Sequence, residues 1–159
     1  MSPRVLMFGW ELPPHNSGGL GTACEGLADA LTEKSVEVTF VLPQKLPINS
    51  SRFRLVFAGP PPRTDLERVM FSAYAKGDEE SHDGVGLSLL GEVKLYARRA
   101  KRLARRENFD IIHAHDWLAY PAGLAAKRVS GKPLVVHVHA TEFDRTGGTG
   151  VNKQVYNIE

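Results

Sequence analysis

Two short histidine clusters are the residues of this sequence whose types and spacing most directly suggest chemistry. His113–Trp117 reads HAHDW, and His137–His139 reads HVH. Residues i and i+2 of a strand point to the same side, so each pair of histidines shares one face. Four histidines beside Asp116 offer nitrogen and oxygen ligands of the kind that zinc prefers.

The spacing of these residues nevertheless differs from that of a known hydrolase pattern. A metallo-hydrolase motif of the type His-x-His-x-Asp-His requires an aspartate one place later than Asp116 and a histidine after it. Neither is present. We therefore expect no structural or catalytic metal ion, and a metal-dependent hydrolase stays the alternative.

A glycine-rich segment precedes the first predicted helix. Pro13–Gly21 reads PPHNSGGLG. Glycines let the backbone approach a ligand closely, and a helix N-terminus favours an anion. The dinucleotide fingerprint is incomplete, because Cys24 stands at its third glycine and the second predicted strand ends in Leu42-Pro43-Gln44, without the acidic residue that would hold a ribose. We therefore discount NAD. The phosphate-loop Gly-Lys-Ser/Thr is also absent, and glycines that only form a turn remain a competing interpretation.

The elements that position these clusters alternate between apolar runs and amphipathic stretches. Helices are predicted at Leu20–Lys34, around 90–104 and at Ala119–Val129, and Asn152–Glu159 begins a helical pattern. Strands are predicted at Arg4–Gly9, Glu37–Leu42, Arg52–Ala58, Asp110–Ala114 and Leu134–His139, with a further candidate at Met70–Tyr74 before a loop at Gly77–Gly86. This alternation predicts an α/β fold: a doubly wound, Rossmann-like parallel sheet with helices on both faces. Ligands of such sheets bind beyond the carboxyl ends of the strands, where the three clusters fall.

Composition narrows the function class. The chain has 159 residues, a net charge of +2 and one cysteine, Cys24. The charge is too small to indicate a nucleic-acid or membrane partner. The basic residues of 94–106 form one face of a predicted helix, and Tyr96 belongs to its opposite, apolar stripe, so the basic face has no interleaved aromatics and indicates a solvated surface rather than an RNA-binding one. The apolar run Val5–Trp10 is too short for a signal core or a membrane span. We expect a cytoplasmic protein.

Three stretches in order resemble retaining GT-B glycosyltransferases, in particular the glycogen and starch synthase group of family 5 and the related family 4. They are Phe8–Pro14 running into Gly18–Gly21, Phe109–Trp117, and Val138–Phe143. The resemblance implies two Rossmann-like domains around a cleft. Residues 1–159 would form the N-terminal, acceptor-side domain, and the C-terminal domain that holds most of the nucleotide-sugar would be missing from this chain.

The resemblance also assigns roles by position. Gly18 and Gly19 would approach the donor diphosphate, Asp116 would line the sugar and acceptor cleft, and His139 would lie beside the transferring sugar. The candidate catalytic residues are His139 and Asp116, and the candidate substrate-binding residues are Asn16, Gly18, Gly19, Leu20 and His115.

The expected reaction is transfer of glucose from ADP-glucose or UDP-glucose to an α-glucan, with the nucleotide-sugar as substrate and no cofactor. Asn16-Ser17 stands where glycogen synthases carry a lysine before the glycines, so family 4, with another donor or acceptor, stays open. A non-catalytic ligand-binding domain is the third alternative. This chain alone is expected to have no transferase turnover.

Overall fold

The sheet is built around the first apolar run of the sequence. The computed structural model describes residues 2–14, 18–61 and 88–159. Strand β1 spans Arg4–Phe8, and its last three residues, Leu6 to Phe8, are fully buried. A continuous apolar run is typical of a parallel strand that is covered on both faces. β1 accordingly occupies the centre of the sheet.

Five parallel strands form the sheet in the order β3-β2-β1-β4-β5. The remaining strands are β2 at Glu37–Leu42, β3 at Arg54–Phe57, β4 at Ile111–His115 and β5 at Leu134–His137. The chain runs outward from β1 to β3 and then crosses to β4 on the other side. The switch point of this doubly wound sheet lies between β1 and β4, which is where such folds bind ligands.

Helices connect these strands. They are α1 at Gly19–Glu33, α2 at Leu89–Ala104, α3 at Asp116–Ser130, α4 at Glu142–Thr146 and α5 at Lys153–Tyr156. Because parallel crossovers are right-handed, α1 covers one face of the sheet while α2 and α3 cover the other. The predicted doubly wound fold with helices on both faces is confirmed. Among the described residues, no helix is both long and apolar enough to cross a membrane.

Close contacts fix two of these helices. The Tyr96 hydroxyl of α2 is buried and lies 2.8 Å from the carbonyl oxygen of Val41 and 3.0 Å from that of Gly9, so its proton is shared by two acceptors. In α3, Gly123 lies so near the sheet that a Cβ there would stand 2.8 Å from the Ala114 Cβ and 2.9 Å from Cδ1 of Leu134. Ala114 and Leu134 therefore face α3, and the neighbouring His113 and His115 face the α1 side of the sheet.

Several predicted boundaries differ from the structure. Helix α3 begins at Asp116 rather than Ala119, because the chain turns directly out of β4 and Pro121 lies inside the helix rather than near its start. Strand β5 ends at His137, two residues before the predicted end. The stripe of α1 that is buried consists of Leu20, Gly21, Cys24 and Ala28, whereas Ala23 and Ala30 of the predicted stripe are exposed. The candidate strand at 70–74 and the loop at 77–86 lie outside the described residues.

Candidate functional site

A pair of histidines lies at the switch point, at the carboxyl ends of β4 and β5. His115 is fully buried at the end of β4, and His139 is half-buried two residues beyond β5. Nδ1 of His115 lies 3.0 Å from Nε2 of His139, so one ring donates to the other. Burial, followed by the neighbouring imidazoles, lowers the pKa of His115 to about 2, and burial and His137 lower the pKa of His139. Both rings are neutral at pH 7.

His113 and His137 extend this pair into a group of four imidazoles, which we call the histidine cluster (His113, His115, His137 and His139). The parallel register pairs His115 with His137, so the strand alternation places His113 on the same face. The His113 and His115 ring centroids are 4.2 Å apart, and those of His137 and His139 are 4.4 Å apart in nearly parallel planes. Burial and the nearby rings lower the pKa of His113 to about 4.

Asp116 connects β4 to α3 in a conformation that is unusual for its residue type. It has φ = 63° and is only 3% exposed, and its Oδ1 accepts a hydrogen bond of 3.1 Å from the Trp117 backbone N–H. A non-glycine residue in the left-handed region costs on the order of 1 kcal/mol or more, and such strain is concentrated at functional sites. Burial raises the pKa of Asp116, while the Trp117 hydrogen bond and Arg145 act in the opposite direction.

Arg145 joins Asp116 to the segment that follows His139. Its Nη1 lies 3.7 Å from Oδ2 of Asp116 and donates to the carbonyl oxygen of Ala140 at 2.5 Å. Its Nη2 lies 2.7 Å from Oε1 of Glu159 and 3.3 Å from Oε2 of Glu142. A guanidinium with planar, directed donors can hold several acceptors at once. Arg145 thereby orders the backbone next to His139, a role that the sequence analysis missed.

The glycine-rich segment brings the start of α1 to the same edge of the sheet. Gly18 is the N-cap residue of α1, Gly19 is exposed, and a Cβ added at Gly19 would meet nothing within 4 Å. Packing therefore does not require glycine at 19, which leaves close approach of a ligand as a reason for it. Leu20 is buried in the core rather than presented to a ligand. Asn16 lies outside the described residues.

Two further residues of this edge were not identified from the sequence as site residues. Glu11 is 3% exposed, and its Oε1 accepts a hydrogen bond of 3.2 Å from the Gly21 N–H in the first turn of α1. Cys24 is fully buried one turn later, and burial, with Glu11 and Asp116, raises the pKa of its thiol to about 12. The signal in the sequence that could have identified Glu11 is an acidic residue placed between the apolar run that ends at Trp10 and Leu12.

The arrangement combines neutral imidazoles, a buried carboxylate and the N-terminus of a helix at one edge of the sheet. Imidazole and carboxylate groups hydrogen-bond hydroxyl groups, and a helix N-terminus attracts an anion. The edge is chemically suited to a ligand that has both hydroxyl groups and a phosphate.

Comparison with known proteins identifies the family. A family model described as the starch synthase catalytic domain matches residues 4–158. An uncharacterised glycosyltransferase of Methanocaldococcus jannaschii is 31% identical over 150 residues, which cover 91% of this chain and 33% of that protein. A glycogen synthase of Mycobacterium tuberculosis is 30% identical over 168 residues, covering 98% of this chain and 39% of the synthase.

A solved structure supports the fold. Sucrose-phosphate synthase from Thermosynechococcus elongatus superposes with a TM-score of 0.66 at 12% identity, covering 99% of this chain and 39% of that one. The chain thus spans between a third and two fifths of the length of these relatives. The match of the family model over nearly all of the sequence means that this chain belongs to glycosyltransferase family 5, the starch synthase catalytic domain family.

Proposed function

We propose that this chain is the N-terminal, acceptor-side domain of a retaining glycosyltransferase that transfers glucose from ADP-glucose or UDP-glucose to an α-glucan. The observation that carries the proposal is the hydrogen-bonded His115–His139 pair beside Asp116 at the switch point of the sheet, in a chain of the starch synthase family. The similarity to a mycobacterial glycogen synthase supports the glucan acceptor.

In this proposal His139 hydrogen-bonds the sugar that is transferred, and Asp116 lines the cleft beside it. The neutral state of His139 suits this role, because an uncharged imidazole can donate to one hydroxyl group without leaving a buried charge. His115 orients the ring of His139 through the 3.0 Å hydrogen bond. Arg145 holds the main chain at Ala140 and so limits movement of the preceding His139.

The donor diphosphate would lie at the start of α1. Backbone N–H groups at Gly18 and Gly19 and the positive end of the helix dipole would stabilise the negative charge that develops on the leaving diphosphate. The exposed position of Gly19 supports this placement. Asn16, which precedes these glycines in the sequence, stays a candidate substrate-binding residue. The basic residues that hold most of the nucleotide would come from a second domain, and the nucleotide-sugar would serve as substrate without a cofactor.

A transfer assay on the full-length polypeptide tests the proposal. We expect the enzyme in the cytoplasm. It should elongate glycogen with radiolabelled ADP-glucose or UDP-glucose. NMR of the first product should show that the new glycosidic linkage is α. A β-linked product would contradict retention. Transfer of a different sugar, or to a non-glucan acceptor only, would contradict the proposed donor and acceptor.

A further inference from the structure

The sheet brings together three imidazoles that lie far apart in the sequence. One nitrogen each of His113, His115 and His137 lies within 4.8 Å of the other two. We propose that these three histidines bind a divalent transition-metal ion of the zinc class, at a site that shares His115 with the sugar-transfer residues but does not include His139 or Asp116. The expectation of no ion relied on spacing along the chain, whereas the proximity of His137 to the other two depends on the pairing of β4 with β5.

An unpaired buried atom is the first independent support. Nε2 of His115 is buried and has no hydrogen-bond partner among the described residues. An unsatisfied buried polar group costs about 1–3 kcal/mol, so such an atom in a folded protein calls for an explanation. A metal ion supplies it, because a metal accepts the lone pair of an unprotonated ring nitrogen.

The hydrogen bond to His139 fits the same interpretation. If Nε2 of His115 ligates an ion, its proton must lie on Nδ1, which then donates to Nε2 of His139 across 3.0 Å. Histidines that bind metals almost always donate their second ring N–H to a neighbouring acceptor, which fixes the tautomer and the ring orientation. His139 would be the acceptor that performs this role for His115.

The other two rings must turn to bind an ion. The His113 and His137 rings are stacked, at 11° with centroids 5.6 Å apart, and the His115 ring is inclined to them by 39° and 32°. The lone pair of an imidazole nitrogen lies in the ring plane, and tetrahedral zinc with Zn–N distances of about 2.0–2.1 Å needs nitrogens roughly 3.3 Å apart. Binding therefore requires rotation of the His113 and His137 side chains, which are half-buried rather than enclosed in the core.

A competing set of ligands shares one residue with this site. Cys24, His115 and His139 also place one ligand atom each within 4.8 Å of one another. Cys24 is fully buried, however, and burial opposes formation of the thiolate that a metal would need. The set of three histidines is favoured because neutral imidazole is already the ligating form.

Metal titration of the 159-residue chain tests the proposal. Calorimetry with Zn²⁺ should give one saturable site per chain, and Co²⁺ should give the visible absorption of a four-coordinate ion. Zn²⁺ should raise the melting temperature, and a chelator should reverse the rise, since a ligand that binds only the folded state stabilises it. Absence of a saturable site would overturn the proposal.

Matched variants locate the site. His113→Gln and His137→Gln should each weaken Zn²⁺ binding by more than about 100-fold, since even loss of a second-shell partner costs about 10–100-fold. His82→Gln removes a histidine from elsewhere in the sequence and should leave binding unchanged. Unchanged binding in the first two variants, or its loss in Cys24→Ser but not in His113→Gln, would overturn the proposed ligand set.

A measurement on the unmodified sequence covers the case in which a variant does not fold. Diethyl pyrocarbonate modifies accessible imidazoles, and mass spectrometry locates the adducts. Zn²⁺ should protect His113 and His137 from modification and leave His82 unprotected. Equal modification with and without Zn²⁺ would contradict the site. None of these readouts measures sugar transfer, so the metal site and the proposed function can fail independently.

Discussion

At the residue scale, His139 is the side chain whose proposed role is most directly testable. His139 is half-buried and lies two residues beyond β5, and its Nε2 shares a hydrogen bond with Nδ1 of His115. If it contacts the sugar during transfer, His139→Ala in the full-length enzyme should lower kcat by about a hundredfold to a thousandfold, equivalent to about 3–4 kcal/mol, and change the donor KM little.

Stability and a control variant separate this role from simple packing. His139→Ala leaves Nδ1 of the buried His115 without its partner and should lower the free energy of unfolding by about 1–3 kcal/mol, so kcat is compared per folded enzyme. Lys127→Ala, at an exposed position of α3, should retain both kcat and stability. If the folded His139→Ala enzyme keeps its kcat, His139 is a packing residue and leaves the proposed site.

Residue types and spacing were sufficient to predict which strand ends carry the polar groups, but not how those groups interact. The motif at 113–117 predicted His115 and Asp116 as neighbours at one strand end. It could not predict that Asp116 adopts φ = 63° or that Arg145 lies 3.7 Å from it, because both depend on the path of the chain after β5. The His115–His139 bond depends on strand pairing in the same way.

At the element scale, the contact between α3 and the sheet depends on a glycine. A Cβ at Gly123 would lie 2.8 Å from the Cβ of Ala114, which has no flexible end that can move away. Gly123→Ala should therefore lower the free energy of unfolding by about 1–3 kcal/mol through overpacking, despite the better helix propensity of alanine.

Gly26→Ala is the matched control in α1. A Cβ there meets nothing within 4 Å, so the variant should gain about 0.5–1 kcal/mol from helix propensity alone. Urea denaturation of both variants measures the two changes. A Gly123→Ala variant as stable as the wild type would show that α3 can move away from β4 at little cost.

Boundaries of elements were predicted less well than the elements themselves. The sequence pattern identified all five described strands, β1 as a continuous apolar run and β3 by its alternation of polar and apolar residues. It placed the start of α3 three residues late, since proline is common in the first turn of a helix and Pro121 suggested a start there. It also assigned Ala23 and Ala30 to the buried stripe of α1, although the small residues Gly21, Cys24 and Ala28 allow the closer approach to the sheet.

At the scale of the whole molecule, one edge of the sheet exposes apolar side chains. Val135 and Val136 of β5 are each 50% exposed, and Val138 just beyond is 54% exposed. Adjacent residues of a strand face opposite sides, so both faces of β5 present apolar side chains. An exposed apolar edge strand favours cover by further protein. This supports the proposal that the chain works as one domain of a larger enzyme.

The last prediction concerns what this domain does when it is alone. Its proposed donor contacts are backbone groups at the start of α1, whereas in the proposed enzyme the groups that hold the nucleotide would lie in a second domain. Calorimetry of the 159-residue chain with ADP-glucose or UDP-glucose should therefore give a dissociation constant above about 1 mM. This corresponds to a binding free energy smaller in magnitude than about 4 kcal/mol. The chain should show no turnover with glycogen. The full-length enzyme under the same conditions is the control and should bind its donor measurably. Micromolar binding to the 159-residue chain would mean that the donor site lies mainly in this domain, contrary to the proposed division between acceptor and donor sides.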